Sequence, residues 1–258
     1  MSFTYCAFRM AADASLALTI PVLLYRIHKN GSSNISLSTQ IMHCIAFVAR
    51  YLDLFIMPSM SVYNAFMRFY IILGSLLTVG TLVVSQRPIR TQQRRTTLAQ
   101  VLSVVLPSLC LAFFVNYNWT PPNGSRLGNM PLGAVMEIAW AFSMYTAALA
   151  DIPQLMEYGK MEIKDSLLTK YLLLCFAFRG LYLPHWVLRW FDERRFDYIA
   201  VFSALVQTLI YIVYGFFIIR HHSRRQMIAA DTTVHEVHFS TLEKGAVDEK
   251  AAALAEIA

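Results

Sequence analysis

The chain has 258 residues, of which 57% are hydrophobic and 15% are charged, with a formal net charge of +6 at pH 7. Its mean hydropathy of +0.47 is too high for an ordinary soluble domain and indicates a polytopic membrane protein. The positive charge does not indicate a nucleic-acid partner, because the basic residues collect between apolar segments on one side. The sequence has no Cys-x-x-Cys or Cys/His zinc pattern, so we expect no metal and no cofactor.

Seven apolar segments are long enough to cross a membrane, because a spanning helix needs about 20 mainly apolar residues. They are predicted at residues 5–26, 38–57, 61–85, 98–116, 132–152, 167–189 and 197–219. The first has no small-residue cleavage site after it and is predicted to be retained. Pro58 is predicted to end the second segment and Pro153 the fifth.

The predicted domains are a transmembrane domain at residues 1–219 and a flexible cytosolic tail at residues 220–258. Basic residues divide unevenly between the two sides of the predicted membrane domain. Eleven lie on one side: Arg26, Lys29, Arg87, Arg90, Arg94, Arg95, Lys160, Lys164, Arg220, Arg224 and Arg225. Three lie on the other: Arg126, Arg194 and Arg195. The positive-inside rule therefore predicts a cytosolic C-terminus and an N-terminus outside the cell or in a lumen.

The second segment contains two charges in the stretch ARYLDLF, residues 49–55. Its eight strongly apolar residues favour insertion by roughly 2.4–4.8 kcal/mol in total, whereas Arg50 and Asp53 at mid-membrane would cost about 5–7 kcal/mol. The cost is larger, so the charged side of this helix is predicted to face a bundle interior or a wet cavity. The i, i+3 spacing of Arg50 and Asp53 also allows them to pair.

Charged residues recur in the other segments. Arg9 and Asp13 are spaced i, i+4, Arg68 lies in the third segment, Glu137 in the fifth, and Asp197 opens the last. One interpretation is that these charges pair among themselves and only hold the bundle together.

A second interpretation starts from the surplus of arginine. Arg179, Tyr182, Trp186 and Arg189 follow helical spacing in the stretch FRGLYLPHWVLRW and lie on one stripe. Interior guanidinium groups that outnumber the nearby carboxylates are costly unless an anion compensates them, and they bind carboxylates bidentately. The sequence therefore predicts a ligand that bears a carboxylate and further acidic groups.

Aromatic residues would complete this ligand site. Tyr51, Trp140, Tyr182 and Trp186 would supply hydroxyl or indole donors and flat walls. The sequence offers no activated serine or cysteine beside a base and no glycine-rich phosphate loop, so we expect no catalytic residues. The predicted activity is binding and not catalysis.

Five stretches of the chain match a known pattern. They are ARYLDLF (49–55), SVYNAFMRFY (61–70), EIAWAFSMY followed by PQL (137–155), FRGLYLPHWVLRW, and FDYIAVFSALVQTLIY (196–211). Together they resemble the KDEL receptor family, the ER lumen protein retaining receptors, over roughly residues 8–219. The resemblance implies an all-α fold of seven transmembrane helices similar to SWEET and PQ-loop transporters, with two triple-helix repeats and a linker helix.

The resemblance also implies a function. Members of the family bind the C-terminal tetrapeptide Lys-Asp-Glu-Leu, or a variant, of escaped ER-resident proteins in the Golgi and return them in coatomer-coated vesicles. The implied partners are these cargo proteins and coatomer, and the implied location is the membranes of the ER and Golgi.

The same resemblance assigns roles to residues. Arg50 and Tyr51 would take the terminal carboxylate of the ligand. Arg9 and Arg189 would meet its acidic side chains. The remaining implied contacts are Asp53 and Glu137, facing its basic first residue, and Tyr182 and Trp186, packing alongside.

Several positions depart from the family pattern. Leu16 stands where the family has the histidine of its pH response, and Phe178 and Ala147 replace a tyrosine and a glutamate. These changes leave open whether pH gates binding and whether His43 or His185 substitutes for the missing histidine.

Two other functions stay open. Pro153 and Gln154 also fit a PQ-loop or SWEET-type transporter, for which an anionic solute would match the arginines. Val213 replaces an aspartate associated with retrograde transport, and residues 220–258 replace the short coatomer-binding tail. A receptor-derived regulator without cargo return is therefore a third interpretation.

Overall fold

The computed structural model of the chain describes residues 3–52, 62–86, 91–117, 131–161, 165–193 and 196–220. Within these residues the secondary structure is helical throughout, with no β-strand. The helices are α1 (Phe3–Asn30), α2 (Leu37–Arg50), α3 (Val62–Ser85), α4 (Thr91–Phe114), α5 (Pro131–Leu149), α6 (Ile152–Lys160), α7 (Ser166–Glu193) and α8 (Tyr198–Arg220). Pro58 and the predicted tail beyond Arg220 lie outside the described residues.

The chain divides into two compact units, Met1–Tyr211 and Ile212–Ala258. The first contains all of α1 to α7 and most of α8, and it is the unit that carries the sites described below. Of the second, the structure describes residues 212–220, which are helical.

Six described helical stretches are long and apolar enough to cross a membrane, as expected for a polytopic membrane protein. They are Ala7–Asn30, Val62–Ser85, Gln92–Phe114, Gly133–Lys160, Ser166–Asp192 and Tyr198–Arg220. The remaining predicted span, 38–57, coincides with α2, which has 14 residues. At 1.5 Å per residue it extends about 21 Å, short of the roughly 30 Å hydrocarbon core.

Two predicted helix boundaries were wrong. The fourth helix was predicted to begin at residue 98, but α4 begins at Thr91. The polar residues before position 98 therefore form its first turns. Pro153 does not end the fifth helix: α5 ends at Leu149, and Pro153 lies in the first turn of α6. Proline suits a first turn because the N–H group that it lacks would have no partner within the helix there.

Close packing joins the helices of the first unit. Helix α1 packs most extensively on α7 and also contacts α3, while α2 packs against α3, α4 and α5. Gly74 of α3 permits the close approach to α1, because a Cβ atom at this position would lie 2.4 Å from Cδ1 of Ile20. These contacts bring α1, α2, α3 and α7 together around one interior.

One end of the bundle, here called the basic end, collects the ends of α1 and α3 and the beginnings of α2, α4, α6 and α7. The hydroxyl of Ser85 donates to that of Ser32 at 2.9 Å, which joins the α3 and α1 ends. Gln154 of α6 accepts from the Ser36 N–H at 2.9 Å and donates to the Asn34 carbonyl at 3.0 Å. The bond to Gln154 satisfies the buried backbone N–H group of Ser36.

A buried ion pair ties α1 to α7 at the same end. Arg26 is 2% exposed, and its Nε donates to Oδ2 of Asp165 at 2.9 Å. Burial opposes the charge of Asp165, but hydrogen bonds from Asn30, Arg26 and the first N–H groups of α7 outweigh it and hold the pKa of this carboxyl below its usual value. The ion pair therefore also caps the beginning of α7.

We predict that Asp165→Asn lowers the free energy of unfolding by about 3–5 kcal/mol, because it leaves the Arg26 charge buried without a counter-charge. The matched control is Glu157→Gln, which breaks the pair with Lys160 at the same distance of 2.9 Å between side chains that are 39% and 67% exposed. That change should cost less than about 1 kcal/mol. Thermal unfolding in detergent at pH 7 measures both.

The effect of Asp165→Asn should also depend on pH. A carboxyl with a lowered pKa contributes stability above its ordinary pKa of about 3.9 and loses it as pH falls through the folded value. The difference between the variant and the unaltered protein should therefore shrink below about pH 4. Equal costs for the two substitutions at pH 7 would contradict the importance of this pair.

Candidate functional site: an arginine-lined cavity

A cavity of about 320 Å³ lies among α1, α2, α3, α5 and α7 and the beginning of α8. Its lining comes from the first turns of α1 and α3 and the last turns of α2 and α7, so it lies at the opposite end of the bundle from the basic end. Its volume is within the range of about 300–1,000 Å³ that is usual for ligand pockets. Among the described residues its charged lining consists of five arginines and two aspartates: Arg9, Arg50, Arg68, Arg179, Arg189, Asp13 and Asp197.

The structure brings eight of the ten residues of the predicted site to this cavity. They are Arg9, Arg50, Tyr51, Trp140, Arg179, Tyr182, Trp186 and Arg189. Glu137 is buried in α5 and does not belong to the cavity lining in the described part of the chain. Asp53 lies outside the described residues, and so does its predicted pairing with Arg50. The roles of all ten residues stay predictions.

Arg179 is the most deeply buried of the five cavity arginines. It is 2% exposed, and it makes neither a hydrogen bond nor an ion pair with any residue that the structure describes. Its guanidinium carbon lies 5.1 Å from the ring centre of Phe178. A buried donor without a partner costs about 1–3 kcal/mol, and more when it is charged.

Arg50 is only partly satisfied. It is the last residue of α2, where the helix ends in Tyr51. Its Nε donates to the hydroxyl of Ser143 on α5 at 3.3 Å, and its Nη2 is buried with no hydrogen-bond partner in the described ranges. A neutral hydroxyl at this distance does not compensate a guanidinium charge.

The two aspartates of the lining contact residues other than Arg50 and Arg179. Asp13 accepts hydrogen bonds from Tyr182 at 2.5 Å and Tyr63 at 3.3 Å, and it lies 3.8 Å from Nε of Arg9. Tyr117 donates to the other aspartate, Asp197. The interpretation that the charges pair among themselves therefore fits Arg9 and Asp13. In the described structure it does not extend to Arg50 and Arg179, here called the deep arginines.

Aromatic rings form the wall of the cavity on α7. Tyr182 and Trp186 lie with ring centres 5.1 Å apart, and His185 meets Tyr182 edge to face at 5.7 Å. Across the cavity, the guanidinium group of Arg68 lies over the ring of Tyr51 at 5.4 Å. These flat surfaces could hold the apolar parts of a ligand whose carboxylates meet the arginines.

Two polar neighbours of the arginines were missed by the sequence reasoning. Asn64 accepts from Arg9 at 2.9 Å, and Ser143 accepts from Arg50. Helical spacing could have indicated both, because Asn64 lies one turn before Arg68 and Ser143 one turn after Trp140. Short neutral side chains change the mean hydropathy of an apolar segment very little, so hydropathy does not reveal them.

The comparisons with known proteins agree on one family. Residues 31–189 match the family model described as ER lumen protein retaining receptor. An ER lumen protein-retaining receptor of Caenorhabditis briggsae and the ER lumen protein-retaining receptor 3 of Xenopus tropicalis are each 33% identical over 205 residues, covering 79% of this chain and 88% of theirs. The ER lumen protein-retaining receptor A of Arabidopsis thaliana is 34% identical over 206 residues, with 79% and 89% covered.

The chain belongs to the ER lumen protein retaining receptor family. This is a family of receptors and not of enzymes, in agreement with the absence of a catalytic set from the sequence. The structure of this family member combines helices that are long and apolar enough to span a membrane with a polar interior cavity.

The positions that depart from the family pattern have clear places in the structure. Leu16 and Phe178 pack with Ala12, Phe47 and Ile71 into one apolar cluster. This cluster lies between the arginine-lined cavity and a smaller cavity nearer the basic end, because Leu16 and Phe178 line both. The third position, Ala147, lines the smaller cavity.

We predict that Arg179→Met raises the free energy of unfolding by about 1–4 kcal/mol when no ligand is added, because it removes a buried charge that forms no ion pair with any described carboxylate. Arg94→Met is the matched control, since Arg94 is exposed on α4 and the same substitution there should change stability little. Thermal unfolding of the purified variants measures both. A clear loss of stability in Arg179→Met would show that the protein itself compensates this guanidinium group.

Proposed function

We propose that this chain binds C-terminal retrieval signals of ER-resident proteins, Lys-Asp-Glu-Leu or a variant, in the arginine-lined cavity, and that it returns these proteins from the Golgi to the ER. The observation that carries the proposal is the pair of deep arginines, Arg50 and Arg179, whose buried N–H groups have no carboxylate partner among the described residues. The names of the relatives, ER lumen protein-retaining receptors, support it.

The depth of the arginines suggests how such a peptide would lie. Exposure falls from 44% for the Arg9 side chain near the mouth to 2% for Arg179. A terminal carboxylate can accept two hydrogen bonds from one guanidinium group, and the peptide chain ends there. It can therefore occupy the deepest part of a cavity. We therefore place it deepest, against Arg50 and Tyr51 and within reach of Arg179.

The acidic side chains of the signal would then lie nearer the mouth. Arg9 and Arg189 line the outer part of the cavity and would meet them, with Tyr182 and Trp186 packing alongside. For the basic first residue of the signal, the family resemblance implies Asp53, which lies outside the described residues, and Glu137, which does not line the cavity among the described residues. The electrostatic fit of an acidic peptide end to five arginines and two engaged aspartates supports this arrangement.

We further propose that the cavity faces the lumen, with the N-terminus lumenal and the C-terminus cytosolic. Arg26, Lys29, Arg94 and Lys160 lie at the basic end, which the positive-inside rule assigns to the cytosol. In this arrangement the span predicted at residues 38–57, of which α2 is part, is the seventh, and the seven spans form two triple-helix repeats joined by a linker helix. Coatomer is the implied cytosolic partner, and the tail that would recruit it lies outside the described residues.

The free carboxylate of the peptide should decide its affinity. A peptide ending in Lys-Asp-Glu-Leu should bind the full chain in lipid nanodiscs, and amidation of its terminus should weaken binding roughly 30-fold or more, because charge-assisted hydrogen bonds contribute about 2 kcal/mol or more. Isothermal titration calorimetry measures both affinities. If amidation made no difference, the assignment of Arg50 to the terminal carboxylate would be wrong.

Neutralising the cavity should abolish the same binding. Arg50→Ala with Arg189→Ala removes two cavity charges, whereas Arg94→Ala with Arg95→Ala removes two exposed charges of α4 and should leave the affinity within about twofold. A folded cavity variant that binds undiminished would overturn the proposed site. Binding of a small dicarboxylate with no binding of any peptide would favour the transporter interpretation.

Cargo return is a separate step and needs a test in cells. Overexpressed cargo with a Lys-Asp-Glu-Leu terminus should move the receptor from the Golgi to the ER, and the double cavity variant should stay in the Golgi. A chain that binds the peptide in vitro and fails to relocate would favour the regulator interpretation.

A further inference from the structure

Three exposed basic side chains at the basic end have no part in the proposed function. They are Lys29, near the end of α1, and Arg94 and Arg95, in the first turns of α4. None of these side chains forms a hydrogen bond or an ion pair with another described residue. Lys29 makes a cation–π contact instead, with its Nζ 5.8 Å from the ring centre of Tyr25. Their donors therefore face outwards without a described acceptor.

Carboxylates that would neutralise these charges are lacking in the described helices around them. Neither α3 nor α4 contains an aspartate or a glutamate. Asp165, which hydrogen bonds to the end of α1, already accepts from Arg26 at 2.9 Å and Asn30 at 3.1 Å. By contrast, Lys160 at the same end donates to Glu157 at 2.9 Å. The three exposed residues thus carry positive charge that no described carboxylate compensates by direct contact.

Hydrogen bonds of one side chain hold the two basic segments together. Gln86, directly after α3, donates through Nε2 to the carbonyl of Ser32, three residues beyond Lys29, at 3.5 Å. Its Oε1 accepts from Nε2 of Gln93, the residue before Arg94, at 3.4 Å. The end of α1 and the beginning of α4 therefore both contact the end of α3, and their basic side chains belong to one surface.

The basic side chains continue stripes of exposed apolar residues. Lys29 lies one turn after Tyr25 on α1, and Arg95 lies three and seven residues before Leu98 and Leu102 on α4. Helical spacing places the members of each set on one face. Tyr25, Leu98 and Leu102 are exposed, in helices that are long and apolar enough to cross a membrane. We therefore expect both stripes to face lipid.

The basic residues lie at the depth of the lipid headgroups. The apolar segments predicted for these helices end at residue 26 and begin at residue 98, so Lys29 and Arg95 are each three residues outside them. Three residues of helix correspond to about 4.5 Å. Tyr25 suits the same boundary, because tyrosine is enriched where the hydrocarbon meets the headgroups. A lipid packed on these stripes would bring its headgroup against the basic side chains.

We propose that Lys29, Arg94 and Arg95 bind the anionic headgroup of a phospholipid whose acyl chains lie on the exposed apolar stripes beside them. The phosphate oxygens would accept charge-assisted hydrogen bonds from the guanidinium groups, and the ammonium group would add a further charge. This surface is at the opposite end of the bundle from the arginine-lined cavity, and the inference does not rest on the proposed function.

A soluble acidic protein is the other kind of partner that exposed basic residues can have. The position of Lys29 and Arg95 on lipid-facing stripes favours a lipid, because headgroups surround a side chain at that depth before a protein can reach it. Arg87 and Arg90, in the connection between α3 and α4, lie outside the described residues and are not part of the proposed site.

The full chain, purified in detergent, should prefer an anionic lipid to a neutral one with the same acyl chains. Native mass spectrometry measures its affinities for phosphatidylserine and phosphatidylcholine. We expect phosphatidylserine to bind at least tenfold more tightly, since each basic residue near an anionic surface contributes roughly a factor of five. Arg94→Gln with Arg95→Gln should reduce that preference to about fivefold or less and leave the affinity for phosphatidylcholine within about twofold.

Two lysines provide a matched control. Both Lys29 and Lys160 are exposed near the end of a helix at the basic end, and of the two only Lys160 has a described carboxylate partner. Lys29→Gln should weaken phosphatidylserine binding about fivefold, whereas Lys160→Gln should change it less than about twofold. Thermal unfolding shows whether each variant is folded. Glycerophosphoserine, the headgroup without acyl chains, should not displace the lipid at about 100-fold excess if the stripes contribute to binding.

Three results would overturn the lipid site. Equal affinities of the folded, unaltered protein for the two lipids would assign the basic residues to an acidic protein partner. An undiminished preference in the folded double arginine variant would place the lipid elsewhere. Displacement by glycerophosphoserine would show a site for free anions. None of these results affects the proposed function, because peptide binding in the arginine-lined cavity is measured separately and should be the same in these variants within about twofold.

Discussion

A guanidinium group inside an apolar helix bundle is most stable when it pairs directly with a carboxylate, and Arg50 and Arg179 form no such ion pair with the described residues. Arg179 is 2% exposed without a hydrogen bond, and Arg50 has a single long bond to a hydroxyl. The helices around them are joined by close packing and, at the opposite end of the bundle, by the buried Arg26–Asp165 pair. The protein thus retains buried positive charge, an electrostatic demand that the carboxylate of a ligand would meet.

This demand links stability to function. Packing, the polar bonds of the basic end and the apolar cluster around Leu16 stabilise the bundle, whereas we expect Arg50 and Arg179 to reduce that stability. A binding protein can retain such a cost because the ligand relieves it, and because an apolar cavity of the same size would hold an acidic peptide poorly. The buried His43–Asp151 pair lies in the lining of the smaller cavity together with Arg179, the arginine that borders both cavities.

Helical periodicity explains how much of this could be predicted from the sequence. Residues such as Arg179, Tyr182, Trp186 and Arg189 share one face at fixed spacing, so their common cavity follows from the helix itself. Six of the spans follow from apolar length. The end of α2 at Arg50 and the separate helix α6 did not follow, because a local change of backbone direction leaves hydropathy almost unchanged.

Contacts between distant helices were also beyond the sequence. His43 and Asp151 are separated by 108 residues, and only the packing of α2 against the α5–α6 region brings them together. The structure of the full chain with a bound peptide ending in Lys-Asp-Glu-Leu tests the central claim most directly. We predict that the terminal carboxylate lies about 2.7–2.9 Å from a guanidinium nitrogen of Arg50, at the deep end of the cavity beside Arg179. A carboxylate found at the mouth near Arg9, with the deep arginines untouched, would contradict it.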